Sequence, residues 1–427
     1  MSARFDVLVV GAGPGGMAAA TVASEAGARV CLLDDNAAPG GQIWRGLDAA
    51  ALRSAPHGAG FAVWASRLAT GGCQVLHGWQ AIDAPSAGAL RVERGGEARD
   101  LHFEKLILAT GARERFLPFP GWTLPGIFGA GGLQALVKGG LDARAKRVVL
   151  AGSGPLLLAV AANLTAAGAC VVTVCEQAPL GRLAAFGLSL ISQPGKLAEG
   201  ARYRWKTRRT PYRTGTWVVR AEGRDRVQTV TLTDGHRQWI EPCDWLACGF
   251  NLVPNLELPR LLGCRIAGGY VEVDEMLQSS VEGIACVGEL TGIGGLEKAL
   301  IEGQIAGLAA SGREPEARKL AAEQRRQERF AQRLDRAFAL RKELRGLAEP
   351  DTIVCRCEDV PYAPLKDCTS ARQARLHTRC GMGACQGRVC GAATEFLFGW
   401  EAGAGRPPVF PAPISALAAE VDAPQNR

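Results

Sequence analysis

The sequence predicts an α/β protein with two dinucleotide-binding units and a small cysteine-bearing segment near its C-terminal end. Three observations carry this reading. Residues 5–45, FDVLVVGAGPGGMAAATVASEAGARVCLLDDNAAPGGQIWR, run from an apolar stretch through a glycine turn and a helical pattern to a second apolar stretch ending in acid. Residues 147–177, RVVLAGSGPLLLAVAANLTAAGACVVTVCEQ, repeat that design. Four cysteines stand in two close pairs, Cys355 with Cys357 and Cys385 with Cys390.

In the first unit, Val7–Val10 predicts a buried parallel strand and Met17–Ala26 a helix, with a second strand from Val30 to Leu33. Between them Gly11, Gly13, Pro14, Gly15 and Gly16 form a phosphate-binding turn. Gly11 permits the tight bend, Gly13 admits a pyrophosphate to the helix N-terminus, and Gly16 lets helix and strand pack closely. Asp34, with Asp35 beside it, is placed to accept hydrogen bonds from a ribose.

Residues 50–105 are expected to be loops and short strands, among them Gly72–Gly78 and Ala89–Glu93, forming an antiparallel meander. Lys105–Ala112 predicts a buried strand that ends in the small residues Ala109, Thr110 and Gly111. In the repeat, Gly152, Ser153 and Gly154 make the turn, Glu176 is the acid, and Leu157 takes the third glycine position. Two readings stand, a working NAD(P)H site and a structural relic, and the Leu157 side chain favours the relic. The basic run Arg202–Arg209, interleaved with aromatics, is expected to be a solvated edge strand. From Tyr270 the chain returns to the first unit, with a strand near Val281–Glu289 and a helix Leu296–Ala310. Residues 313–345 read as one or two amphipathic linking helices.

Composition limits the function. A chain of 427 residues has two or three domains and an ample core, and 47 % hydrophobic with 21 % charged residues is ordinary for a soluble protein. The net charge of +7 does not by itself call for nucleic acid or a membrane surface. The N-terminus enters a strand directly, and no run reaches the roughly eighteen apolar residues of a membrane helix, so the cytoplasm is expected. Fourteen cysteines then argue for metal ligation rather than disulfides. Cys355, Cys357, Cys385 and Cys390 can ligate the irons of a [2Fe–2S] cluster, with zinc as the competing metal, while Cys368 and Cys380 rank below them. Arg356, Arg379 and Arg388 would offset the cluster's charge. The five histidines, His57, His77, His102, His236 and His377, show no partner pattern, and no catalytic residue is assigned.

These motifs carry a resemblance. Pro39–Arg45 after the acid resembles flavoproteins with two Rossmann-like domains, the glutathione-reductase-like class, which implies FAD at the first unit. It implies cofactor contacts from Gly41, Gln42, Arg45, Ala81, Ala109, Thr110, Gly111, Gly288 and Glu289, the last standing where relatives have Asp on the ribityl chain. VCRCEDV and TRCGMGACQGRVCG resemble a bacterioferritin-associated-ferredoxin-like [2Fe–2S] domain fused to such a flavoprotein. That arrangement is found in the A or α subunits of opine oxidases, hydrogen cyanide synthase and D-hydroxyproline dehydrogenase, and the two halves also resemble sarcosine oxidase α.

The resemblance implies domains at 1–118 (FAD, first part), 119–268 (second nucleotide fold), 269–312 (FAD, return), 313–348 (linker), 349–400 (a helical [2Fe–2S] domain) and 401–427 (tail). It implies an oxidoreductase subunit that moves electrons taken from a C–N bond by an amine- or imino-acid-oxidase-like β subunit. An interface FMN, a quinone-type acceptor, a position at the inner membrane face and a small third subunit belong to the same expectation. The alternative is a self-contained NAD(P)H oxidoreductase.

Overall fold

The computed structural model describes residues 4–45, 58–401, 403 and 405–419. The chain forms two compact units, each assembled from separated stretches. The first comprises Met1–Arg113, Pro254–Gln332 and Ala404–Arg427, the second Glu114–Val253 and Arg333–Gly403.

In the first unit, β1 (Arg4–Val10), α1 (Pro14–Glu25), β2 (Val30–Asp34), α2 (Gly58–Thr70), β3 (Gln74–His77), β4 (Gln80–Ser86), β5 (Ala89–Arg94) and β6 (Glu97–Leu108) follow in order. The sheet runs β3-β2-β1-β6-β5-β4, with Ile284–Cys286 also paired to β6. β6 joins two kinds of sheet. Its first half pairs antiparallel with β5, and its second half pairs parallel with β1 and with Ile284–Cys286. The parallel strands are covered on both faces, which is why β1 and β2 read as unbroken apolar runs. On one face α1 buries Gly15–Ser24 beside helix Leu296–Ala310, and the small side chains of both helices let them approach closely.

Three features differ from the sequence reading. β3 joins the parallel side next to β2, so the meander comprises only β4, β5 and the first half of β6. Helix α2 stands where loops and short strands are expected; its Phe61, Trp64, Ala65 and Leu68 recur at helical spacing and pack on the core. The first unit also resumes at Pro254, before the expected boundary at 269. It takes back the C-terminal residues as well, where the Val409 N–H donates to the Ile82 carbonyl at 2.9 Å.

The second unit holds a five-stranded parallel sheet in the order Tyr212–Thr214, Cys170–Glu176, Arg147–Ser153, Trp245–Phe250, Ile127–Gly129. A three-stranded antiparallel sheet, Trp217–Glu222, Thr229–Thr233 and Gln238–Pro242, packs with it in one core. Pro120–Gly126 straps this region, with the Trp122 indole N–H donating to the Ile353 carbonyl at 2.6 Å just before the first cysteine pair. The cysteine segment has a small core of Val354, Val360, Leu365 and Ala374. Phe398 stacks between Tyr362 and Trp400 there, at 5.6 and 4.4 Å between ring centroids.

The basic run is not a strand. Pro194–Lys206 is a helix opened by proline at its first turn, and the sheet edge is Tyr212–Thr214 instead.

Candidate functional site

The predicted cofactor residues of the first unit converge beyond the carboxyl ends of its parallel strands. The glycine turn leaves β1, the Ala109–Gly111 segment leaves β6, and Gly288 follows Ile284–Cys286. The Ala109 N–H donates to the Val10 carbonyl at 2.8 Å, and the Val287 N–H to the Leu108 carbonyl at 2.9 Å. A Cβ at Gly16 would stand 1.8 Å from the Gly11 carbonyl oxygen, so only glycine fits there. The Pro39–Arg45 loop closes over the turn: the Gly40 N–H donates to the Ala12 carbonyl at 2.7 Å, and a Cβ at Gly41 would lie 2.9 Å from the Gly13 Cα. Pro14 opens α1, so the turn's free N–H groups and the helix dipole face the same space. This backbone cradle fits the pyrophosphate of a dinucleotide.

The acids behave differently from expectation. Asp34 is buried and turned inward, accepting from the Ala12 N–H through one oxygen and from the Asn36 backbone and side-chain nitrogens at 2.7 and 2.8 Å through the other. Asp35 is the exposed carboxylate of the pair. Arg45 donates to the Asn36 side chain at 3.0 Å, and Gln42 is exposed on the same loop. Thr110 donates to the Asn255 carbonyl at 2.9 Å, and Asn255 in turn bonds the Thr110 and Gly111 backbone. Ala81 is buried in β4, paired with Val92, with its side chain in the core.

Glu289 holds its own loop. Its two carboxylate oxygens accept from the Gly294 and Gly295 N–H groups, each at 3.0 Å, just before helix Leu296–Ala310. Loss of solvation raises its pKa against the pull of nearby Lys298 and those two N–H groups. The sequence reading missed the group behind it. Lys298 and Glu302 form a fully buried ion pair at 2.7 Å. Glu302 accepts from the Gly288 N–H at 2.7 Å, and Lys298 donates to the Gly288 carbonyl at 2.9 Å. Their i, i+4 spacing in the predicted helix was the available signal.

The second glycine turn is covered by the chain itself. Glu176 accepts from the Gly154 N–H at 2.8 Å, the Ala178 N–H at 2.9 Å and the Ser153 hydroxyl at 3.1 Å, and burial pushes its pKa up to about 7. The one Ser153 hydroxyl proton is shared between Glu176 and the Phe338 carbonyl, 2.9 Å away, to which Asn251 also donates at 3.0 Å. Gln177 and Arg182 donate to the Ala339 carbonyl at 3.3 and 3.2 Å. Leu157 is fully buried between its helix and the sheet. Residues read as a linker therefore occupy the mouth of this turn.

The thiols group differently from the predicted pairing. The sulfur atoms of Cys355, Cys380 and Cys390 lie within 4.8 Å of one another, all buried. Cys380, ranked low from the sequence, belongs to this group. Hydrogen bonds from Cys380 and then Cys390 lower the Cys355 pKa and raise those of the donors. The Gly381 N–H also points at the Cys355 sulfur, at 3.4 Å. Cys357 and Cys385 contact each other outside this group, Cys357 exposed and Cys385 half-buried. The expected charge partner Arg379 is engaged by Glu358 at 2.6 Å, whereas Arg375 lies beside Cys380. Three clustered thiols with a backbone N–H aimed at sulfur, beside a second thiol pair, fit an iron–sulfur centre.

His57 lies outside the described residues. His77, His102, His236 and His377 are dispersed over β3, β6, the Thr233–Gln238 turn and helix Ala371–Thr378.

Residues 5–313 match the family model of pyridine nucleotide-disulphide oxidoreductases. The chain belongs to this family. Within it the chain is 32 % identical over 435 residues to the A subunit of opine oxidase from Rhizobium meliloti (strain 1021), covering 92 % of each. It is also 32 % identical over 419 residues to the HcnB subunit of hydrogen cyanide synthase from Pseudomonas aeruginosa, covering 90 % of each. The solved L-proline dehydrogenase of P. horikoshii superposes with a TM-score of 0.69 at 18 % identity, over 98 % of this chain and 81 % of that one, and shares the fold. The family is that of FAD-binding flavoprotein oxidoreductases, as the resemblance implied. Among the described residues, no helix is long and apolar enough to cross a membrane.

Proposed function

We propose that this chain is the electron-transferring subunit of a heteromeric dehydrogenase or oxidase acting on a C–N bond. A β subunit of the amine- or imino-acid-oxidase type would oxidise the amino acid, imino acid or opine on its own flavin. FMN at the subunit interface, a quinone-type acceptor and a small third subunit complete the reading. FAD and a [2Fe–2S] cluster, when bound here, would supply two-electron acceptance and passage of single electrons.

The chain's own residues bind and orient. The N–H groups of Gly13, Gly15 and Gly16 and the α1 dipole would receive the pyrophosphate, and Asp35 takes the ribose role expected of Asp34. Glu289, backed by Lys298–Glu302, fixes the Gly288–Gly295 loop. Cys355 and Cys390 would be two of the cluster's ligands, and Cys357, Cys380 and Cys385 offer more thiols than the other two positions need.

One observation carries the proposal. The second glycine turn, the natural place for a nicotinamide donor, is covered by Phe338 and Ala339 of the same chain. Electrons then have to enter from elsewhere, and the relatives bear the names of enzyme subunits. The test is anaerobic purification followed by visible and paramagnetic resonance spectra. Flavin with a cluster that dithionite reduces but NADH and NADPH do not is the expected result. Rapid bleaching by either nucleotide would make the chain a self-contained oxidoreductase instead.

A further inference from the structure

Residues 180–209 of the second unit form two successive helices, Leu180–Ser189 and Pro194–Lys206, neither of which buries a residue. This stretch nevertheless carries five of the fourteen large apolar side chains that stand exposed among the described residues. Leu180, Leu188, Ile191 and Trp205 are 67–69 % exposed, and Leu197 is 44 % exposed. They form stripes. Leu183 and Phe186 turn inward to pack beside Phe338, while Leu180, Ala184, Leu188 and Ile191 recur at helical spacing on the outer side. In the second helix Leu197, Ala201 and Trp205 are spaced by four and are all exposed.

The charge on these two helices is as uneven as their exposure. Residues 180–209 hold seven lysines and arginines against one acid, Glu199, in a chain whose whole net charge is +7. Two of them brace an apolar anchor: Arg208 lies over the Trp205 ring at 4.7 Å, and Arg202 over Tyr203 at 5.8 Å. Protein interfaces of this apolar content are depleted of charge at their centre, whereas here six cations, Lys196, Arg202, Arg204, Lys206, Arg208 and Arg209, stand in the stretch that carries Leu197 and Trp205. Exposed leucine and tryptophan at helical spacing among lysines and arginines, as in Pro194–Lys206, is the pattern of a helix that lies in the surface of an anionic bilayer.

We propose that the two helices of residues 180–209 dock this chain on the surface of an anionic lipid bilayer. The outward stripes enter the headgroup–acyl boundary, and the flanking cations meet lipid phosphates. Each cation brought to such a surface raises partitioning roughly fivefold, and salt screens that gain. A docked chain would be within reach of an acceptor dissolved in the membrane. Vesicle binding itself does not depend on electron transfer, so it tests this proposal separately from the proposed function.

The experiment is co-sedimentation of the full-length flavin-loaded chain with vesicles. Vesicles of phosphatidylcholine alone are compared with a phosphatidylcholine–phosphatidylglycerol mixture at low and high salt. The expected result is binding to the mixture that weakens with salt, and little binding to phosphatidylcholine. The double variant Leu188→Asp/Ile191→Asp, at two exposed positions, should bind about tenfold more weakly or worse while keeping its flavin spectrum and melting temperature. Arg202→Glu/Arg208→Glu should remove most of the salt dependence. A wild-type chain that stays in the supernatant with anionic vesicles overturns the proposal. So does a Leu188→Asp/Ile191→Asp variant that binds as the wild type does. If that variant instead releases a co-purifying protein or changes oligomeric state without altering vesicle binding, the face belongs to a protein partner and the proposal fails.

Discussion

In the first unit the residue that closes the glycine turn is Gly16; at the same place in the second unit it is Leu157. The first helix begins at Pro14, directly behind Gly13, while the second begins at Leu156, two residues beyond Gly154. At the first turn the backbones of Gly13 and Gly41 pack against each other, too close for a side chain at Gly41. At the second, Glu176 accepts the turn's Gly154 N–H, and Phe338 and Ala339 lie over Ser153 and Gln177. One strand–turn–helix–strand design thus serves binding in one unit and architecture in the other. The difference lies in which N–H the buried acid takes: Asp34 accepts from Ala12, ahead of the second glycine, whereas Glu176 accepts from Gly154, the second glycine itself.

The largest test exchanges the two solutions. Gly16→Leu forces a Cβ to 1.8 Å from the Gly11 carbonyl oxygen, which α1 cannot relieve without leaving β1. Loss of more than about 4 kcal/mol is expected, read as a chain purified without flavin absorbance or not recovered in soluble form. Next is the buried pair that holds the first unit's return loop. Lys298→Met leaves Glu302 charged and buried, at a cost of about 4 kcal/mol in denaturant unfolding. Lys298→Met/Glu302→Leu should recover part of that loss, and a double variant no more stable than the single one would show that the pair is not what matters.

In the second unit, Leu157→Ala should cost about 3 kcal/mol through the cavity it leaves, yet flavin content should be unchanged and no response to NADH should appear. Acquired bleaching by NADH would mean that Leu157 alone had closed the site. Ser153→Ala should cost about 1 kcal/mol, because the Phe338 carbonyl keeps its bond from Asn251.

The smallest effect is a pH slope. Glu176 is held up to about 7 in the folded chain against 4.5 as its ordinary value. The folded state therefore binds this proton more tightly than the unfolded state. Its contribution is fully present below about 4.5 and is lost as pH rises through about 7. Melting temperature followed across that window should fall less steeply in Glu176→Gln than in the wild type. An unchanged slope would remove Glu176 as its source.

Much of this was legible in the chain. The apolar runs of β1 and β2, the glycine spacing and helix Leu296–Ala310 follow from local pattern, because period and turn chemistry act over neighbouring residues. Helix α2 is legible too, in the spacing of Phe61, Trp64, Ala65 and Leu68, although the composition around it reads as a loop. The helix at Pro194–Lys206 is hidden by its charges, since a basic aromatic run reads equally as an edge strand until the spacing of Leu197, Ala201 and Trp205 is counted.

What the sequence by itself determined is the fold class, the repeat, the first unit's cradle and the presence of a thiol-rich segment, all encoded in residues close along the chain. Only the tertiary structure decided three further points. Asp34 is consumed by the Ala12 N–H, leaving Asp35 exposed; Cys380 joins Cys355 and Cys390; and Phe338 and Ala339 seal the second turn. Each depends on which buried donor finds which acceptor across tens to hundreds of residues. A buried polar group must be paired wherever its partner comes from, and a local pattern cannot name that partner.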